Sequence, residues 1–152
     1  MKKYGPFLLE GIIIFLALGA FIFLLIEPTT EGRNVHATLF QIYFQDPFLL
    51  YAYVSSLPFF VGTFQIWKLV GNARKSKADP ADSLRRLKLI QRCALTVTVL
   101  AIGAVMYFFL MQRNTEDIAG GVAMGMMIII ASIVVASGAT VSEVRLRNVP
   151  QQ

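Results

Sequence analysis

Apolar residues come in four long blocks, 7–26, 47–67, 93–111 and 118–142, and the charged residues are largely confined to the gaps between them. A helix needs about 20 mostly apolar residues to cross the hydrocarbon core of a bilayer, and each block is of about that length. The pattern predicts four membrane-crossing helices, at about 7–26, 47–70, 84–111 and 117–143. An outer loop spans 27–46, a cytoplasmic loop spans 71–83, and the short turn "QRNTED" joins the last two helices. So short a connection makes those two helices antiparallel neighbours. The expected fold class is all-α: a polytopic membrane protein, with 1–152 forming a single membrane domain built as a four-transmembrane-helix bundle.

Punctuation along the chain refines these elements. Glu27-Pro28 is expected to stop the first helix, because proline cannot continue the backbone ladder and charge resists the bilayer. Asp46-Pro47 reads as N-cap and first-turn proline of the second helix. Pro58, after Ser55 and Ser56, falls near the middle of that helix and predicts a kink, with the serines positioned to satisfy freed carbonyls. Trp67-Lys68 marks a membrane interface, and Gly71-Asn72 releases the chain into the loop. Asp79-Pro80 gives a turn, after which Asp82 or Ser83 caps the third helix. In "LRRLKLIQRCAL" the apolar positions share one face and the basic ones fall elsewhere, so this helix projects about two turns beyond the lipid.

Composition supports the membrane reading: 56% of residues are hydrophobic and only 15% charged, against roughly 25% charged in soluble domains. Lys2 and Lys3 ahead of an apolar run resemble the start of a signal peptide. The run is longer than the usual core of about 7–15 residues, and Glu10 interrupts it, so an uncleaved first helix is expected.

Charge sets the expected orientation. With both termini cytoplasmic, Lys2 and Lys3, the eight basic residues of 68–92, and Arg145 and Arg147 fall inside: 12 of 14 Lys and Arg. Only Arg33 and Arg113 are then outside, beside Glu27, Glu31, Asp46, Glu116 and Asp117. Basic segments resist translocation, so this asymmetry accounts for the basic stretch 67–92 without nucleic acid as a partner. Anionic lipid headgroups are its expected contact, at about 1 kcal/mol per basic residue near the surface. The expected location is the bacterial cytoplasmic (inner) membrane, multi-pass.

The outer loop carries Val35, Leu39, Ile42 and Tyr43 at helical spacing with Phe40 and Phe44 beside them. Two readings stay open for 35–45: a short interfacial helix, or aromatic anchors at headgroup depth.

Candidate interaction residues are sparse. Gly121 and Gly125 form a GxxxG strip on which another backbone can approach closely, extended by Ser132, Ala136, Ser137, Gly138 and Thr140. Packing within the bundle is the leading use of this strip, with self-association or docking to a membrane-protein partner second. Met124, Met126 and Met127 give the same helix a pliable surface. Glu10 and Arg92 lie at similar depths in the first and third helices, which suggests either an intramembrane ion pair or two chains that snorkel separately to headgroups.

No catalytic, cofactor-binding or metal-binding set stands out. His36 is the only histidine and Cys93 the only cysteine, so a zinc site lacks ligands, and Cys93 reads as a packing residue. No acidic or basic residue sits mid-span, against the relay of a proton-coupled pump. An enzyme is not expected, and neither is a cofactor.

"PFFVGTFQIWKLVG", "SLRRLKLIQRCAL" and "EDIAGGVAMGMMIIIASIVVA" together resemble a bacterial membrane-protein family, known as a domain of unknown function with four spans. The resemblance covers roughly residues 45–145. It implies the same topology, and a genomic setting beside a small Cro-like helix-turn-helix regulator; it supplies no catalytic residues. The expected role is an interaction, regulatory or accessory subunit. The alternative is a homo-oligomeric pore or small-solute transporter subunit, with Pro58, Ser55, Ser56, Thr63 and Gln65 lining the path.

Overall fold

The computed structural model describes residues 5–30, 38, 40, 47–75, 79–111 and 118–148. Among them are four long helices: α1 (Gly5–Thr30), α2 (Pro47–Arg74), α3 (Pro80–Met111) and α4 (Ile118–Arg147). All four are long and apolar enough to cross a membrane. At a rise of about 1.5 Å per residue, the 32 residues of α3 reach about 48 Å, well past a hydrocarbon core of about 30 Å. The expected interfacial segment at 35–45 lies outside the described residues except for Thr38 and Phe40. His36, Glu116 and Asp117 also lie outside them.

Three helix ends differ from those the sequence suggests, each for a local reason. α1 runs through Pro28 to Thr30 instead of stopping at Glu27-Pro28. Proline at 28 offers no N–H to the carbonyl of Leu24, four residues back; the Tyr53 hydroxyl of α2 donates to that carbonyl at 3.0 Å. A tertiary donor thus replaces the missing backbone one. α2 continues past Gly71-Asn72 to Arg74, and the Lys75 N–H closes on the Gly71 carbonyl at 3.2 Å. α3 begins at Pro80 rather than near 84. Its cap is Asp79, whose Oδ1 accepts the Ala81 N–H at 3.2 Å, with proline in the first helical position, where its lack of an N–H is harmless. Asp82 and Ser83, the expected caps, already lie inside the helix.

Close packing follows chain order: α1 on α2, α2 on α3, and α3 on α4. α1 turns one stripe toward α2, with Glu10, Ile13, Ala17, Ala20 and Leu24 half-buried and Pro28 buried, in steps of three and four residues. Phe21 meets Phe60 edge to face at 6.1 Å. The most buried apolar side chains are Leu49, Leu87, Ile90, Ala94, Ala136 and Ala139. Leu87, Ile90 and Ala139 form one cluster, flanked by Ile66 and Leu69 of α2 and Leu146 of α4.

The rest of the apolar surface faces outward: Phe15, Val99 and Leu110 are 76%, 67% and 74% exposed. A soluble monomer rarely exposes a contiguous apolar patch above a few hundred Å². Along their spanning portions these helices present mainly apolar side chains outward, as lipid requires.

Candidate functional site

The α3–α4 interface is built on glycine. A Cβ at Gly121 would stand 2.9 Å from two ring carbons of Phe108, and a Cβ at Gly125 would collide with Cγ2 of Val105. Both glycines of the GxxxG strip therefore face α3 inside the chain. The other α4 glycines, Gly120 and Gly138, have nothing within 4 Å. They belong to the outward surface, together with Met124, Met126 and Met127 at 42%, 50% and 65% exposure. Lower on the same interface, Gln91 Nε2 donates to Thr140 Oγ1 at 3.0 Å.

The α2–α3 interface carries a polar seam whose members are scattered along the sequence. Tyr51, Ser55, Gly62, Gln65 and Asn72 recur at spacings of three, four and seven, so they share one face of α2. At one end, Tyr51 donates to the Leu100 carbonyl at 2.6 Å, and Gly103 gives its hydroxyl room. At mid-height, Gly62 lies against Cβ of Cys93, confirming that cysteine's place in helix packing. At the other end, Asp82 Oδ2 accepts from Arg86 Nε at 2.8 Å and from Asn72 Nδ2 at 3.3 Å. Arg86 Nη1 then reaches Gln65 Oε1 at 2.8 Å. This network clamps the ends of α2 and α3 beside their connection. The spacing of the α2 polar residues was the signal available for it.

Glu10 does not pair with Arg92. Its Oε2 lies 3.3 Å from Arg74 Nη1 at the end of α2, while its Oε1 sits above Gly71. Equal depth suggested Arg92, but α1 packs on α2, and α3 lies on the far side of α2. Arg74 also places its guanidinium 5.9 Å from the Phe7 ring, a second tie to α1. Arg92 is exposed, and with Arg85 and Lys88 it forms a basic stripe along the start of α3.

The polar residues suggested for a pore do not share a face. Thr63 donates to the Phe59 carbonyl and lines the α1–α2 side, whereas Gln65 is held by Arg86 on the α3 side. Two residues along a helix is a turn of about 200°, which puts them on opposite faces. Ser56 donates to the Tyr53 carbonyl at 2.7 Å, one residue short of the Val54 carbonyl that Pro58 leaves without its N–H donor. Ser55 Oγ is buried without a hydrogen-bond partner. α2 continues as a helix through Pro58.

Among the described residues no group of three or more His, Cys, Asp or Glu could hold a metal ion. Between α1 and α2 lies an open, largely apolar slot of about 290 Å³, walled by Ile13, Ile14, Ala17, Phe60, Phe64 and Trp67, with Thr63 among them.

A family described as "Protein of unknown function (DUF2975)" matches residues 34–148. The chain belongs to it. The matched residues take in α2, α3 and α4 and leave α1 outside. The chain is also 34% identical over 117 residues to the "Uncharacterized membrane protein YoaS" of Bacillus subtilis (strain 168), covering 76% of this chain and 72% of that one. No solved structure matches. With four membrane-crossing helices and a bacterial membrane protein as a relative, the chain is a multi-pass bacterial membrane protein. The α2–α3 seam and the α3–α4 glycine strip both fall within the family's matched region.

Proposed function

We propose that the protein is an interaction subunit of the cytoplasmic membrane, acting by binding another protein and not by catalysis, with both termini cytoplasmic. The supporting observation is how the α4 surface is divided. The Gly121–Gly125 strip is used internally against α3, while Gly120, Met127 and Gly138 share a face turned away from it, with Met124 and Met126 exposed to either side of that face. A flexible thioether surface beside small residues adapts to a partner helix. The projecting basic stripe Arg85–Lys88–Arg92 adds a charged contact for anionic headgroups or an acidic cytosolic partner. The resemblance to a family encoded beside a Cro-like regulator supplies a regulatory context for such a partner.

The test is gentle purification from native membranes, native mass measurement, and identification of what co-elutes. A stoichiometric protein partner, lost when Met127 and Gly138 are each replaced by Phe, supports the reading. A homo-oligomer with nothing attached overturns it in favour of a pore or transporter subunit, and solute flux through reconstituted vesicles then becomes the next measurement.

A further inference from the structure

The slot between α1 and α2 has a cation beside its mouth, held against one of its lining rings. Lys68 sets its ammonium 4.6 Å from the centre of the Phe64 ring, and that ring forms part of the slot. Trp67, the next wall residue, lies tilted against Phe64 with ring centres 5.9 Å apart. Tryptophan and lysine together mark the depth of lipid headgroups. From Trp67 the slot runs inward to Phe60, seven residues and about 10 Å along the helix. The surface it presents is apolar, the one hydroxyl among its lining residues, that of Thr63, being turned to the Phe59 carbonyl. The nearby carboxylate, Glu10, is engaged by Arg74, and among the described residues no carboxylate pairs with Lys68. The arrangement is a positive charge at headgroup level over an apolar trough.

We propose that this slot holds one anionic phospholipid, its phosphate on Lys68 and the upper part of one acyl chain lying along Trp67, Phe64 and Phe60 against Ile13, Ile14 and Ala17. Charge complementarity selects the headgroup, and the depth of the slot accounts for a chain segment rather than a whole lipid. The site is separate from the basic stripe on α3 and does not rest on the protein-binding role.

Trp67 is the sole tryptophan of the chain, so its fluorescence reports on the slot directly. The protein is reconstituted in phosphatidylcholine vesicles, into which acyl-brominated phosphatidylglycerol or acyl-brominated phosphatidylcholine is titrated. One added lysine contact predicts that the anionic lipid reaches half-maximal quenching at about fivefold lower mole fraction. Lys68→Gln abolishes this preference and leaves quenching by phosphatidylcholine as it was. Lys88→Gln, on the α3 stripe, retains the preference, which separates a local site from general enrichment of anionic lipid. Ala17→Leu, which fills the trough, weakens quenching by both lipids. Equal quenching by the two lipids in the unaltered protein overturns the proposal, as does a preference that survives Lys68→Gln or disappears equally in Lys88→Gln. Undiminished quenching in Ala17→Leu overturns the placement of the chain.

Discussion

Gly120 and Gly121 are neighbours in sequence, yet the structure predicts opposite consequences for adding one methyl group. At Gly121 the new Cβ would sit 2.9, 2.9 and 3.3 Å from three ring carbons of Phe108. Carbon atoms pack comfortably at about 3.5–4.0 Å, so the ring must retreat by roughly 0.6–1 Å. Phe48 of α2 packs edge to face against the same ring at 4.8 Å, so a shift of the ring is passed on to a third helix. Gly121→Ala therefore overpacks three helices at once, and overpacking of this kind costs about 1–3 kcal/mol. At Gly120 nothing lies within 4 Å, so alanine there is neutral or slightly favourable through its helix propensity. The assay is equilibrium unfolding of the purified protein in mixed micelles with increasing denaturing detergent, followed by helical circular dichroism. A double-mutant cycle isolates the contact: in a Phe108→Ala background the steric cause is gone, and Gly121→Ala should cost close to nothing. A coupling of about 1–3 kcal/mol is the expected result, within the usual range for residues in contact. If Gly121→Ala costs the same with and without the Phe108 ring, the reasoning from this interface is wrong.

Three further outcomes are expected. Glu10→Gln and Arg74→Gln should lower stability in the same assay non-additively, with a coupling of about 0.2–1 kcal/mol for a partly exposed pair, whereas Arg92→Gln combined with Glu10→Gln should be additive; the reverse pattern would restore the Glu10–Arg92 pairing. Tyr53→Phe should cost about 0.6 kcal/mol and at most about 1.7 kcal/mol, the measured range for hydrogen bonds between membrane helices. That cost should shrink in a Pro28→Ala background, where the backbone N–H at 28 can serve the Leu24 carbonyl itself; an unchanged cost refutes the substitution of one donor for another. For topology, Lys75→Cys in a Cys93→Ser background should resist a membrane-impermeant thiol reagent in intact cells and react once the cells are opened. Labelling from outside would invert the orientation drawn from the charge bias.

Some of the interaction chemistry was legible in the chain and some was not. The GxxxG spacing located the close approach at Gly121 and Gly125, because absence of a side chain is a property of the sequence alone. Its partner, Phe108 and Val105 rather than a second protein, depends on which helix lies opposite. The network of Asp82, Arg86, Gln65 and Asn72 was foreshadowed by the repeat of polar residues along α2, but Asp82 looked like a cap. Only when Asp79 takes the cap does the Asp82 carboxylate become free to reach across to Asn72 while pairing with Arg86 four residues on.

The sequence by itself determined that the chain spans a bilayer four times, and roughly where. In hydrocarbon no water is available to satisfy backbone N–H and C=O groups, so an apolar run of sufficient length has to become a helix whatever its neighbours. Span length and hydropathy are local quantities, and they transfer directly from sequence to structure. The tertiary structure decided everything that depends on adjacency. Glu10 and Arg92 share a depth, but α2 stands between their helices, so Arg74 takes the pair. Pro28 should end α1 by the local rule, yet a tyrosine on another helix supplies the hydrogen bond that proline lacks. Thr63 and Gln65 look like one polar group along the chain and lie on opposite faces of α2 in the fold. Depth is written along one helix; contact is set by the order in which helices pack side by side, and lipid, being as apolar as the helices themselves, leaves that order to close fits at glycines and to a few polar bonds.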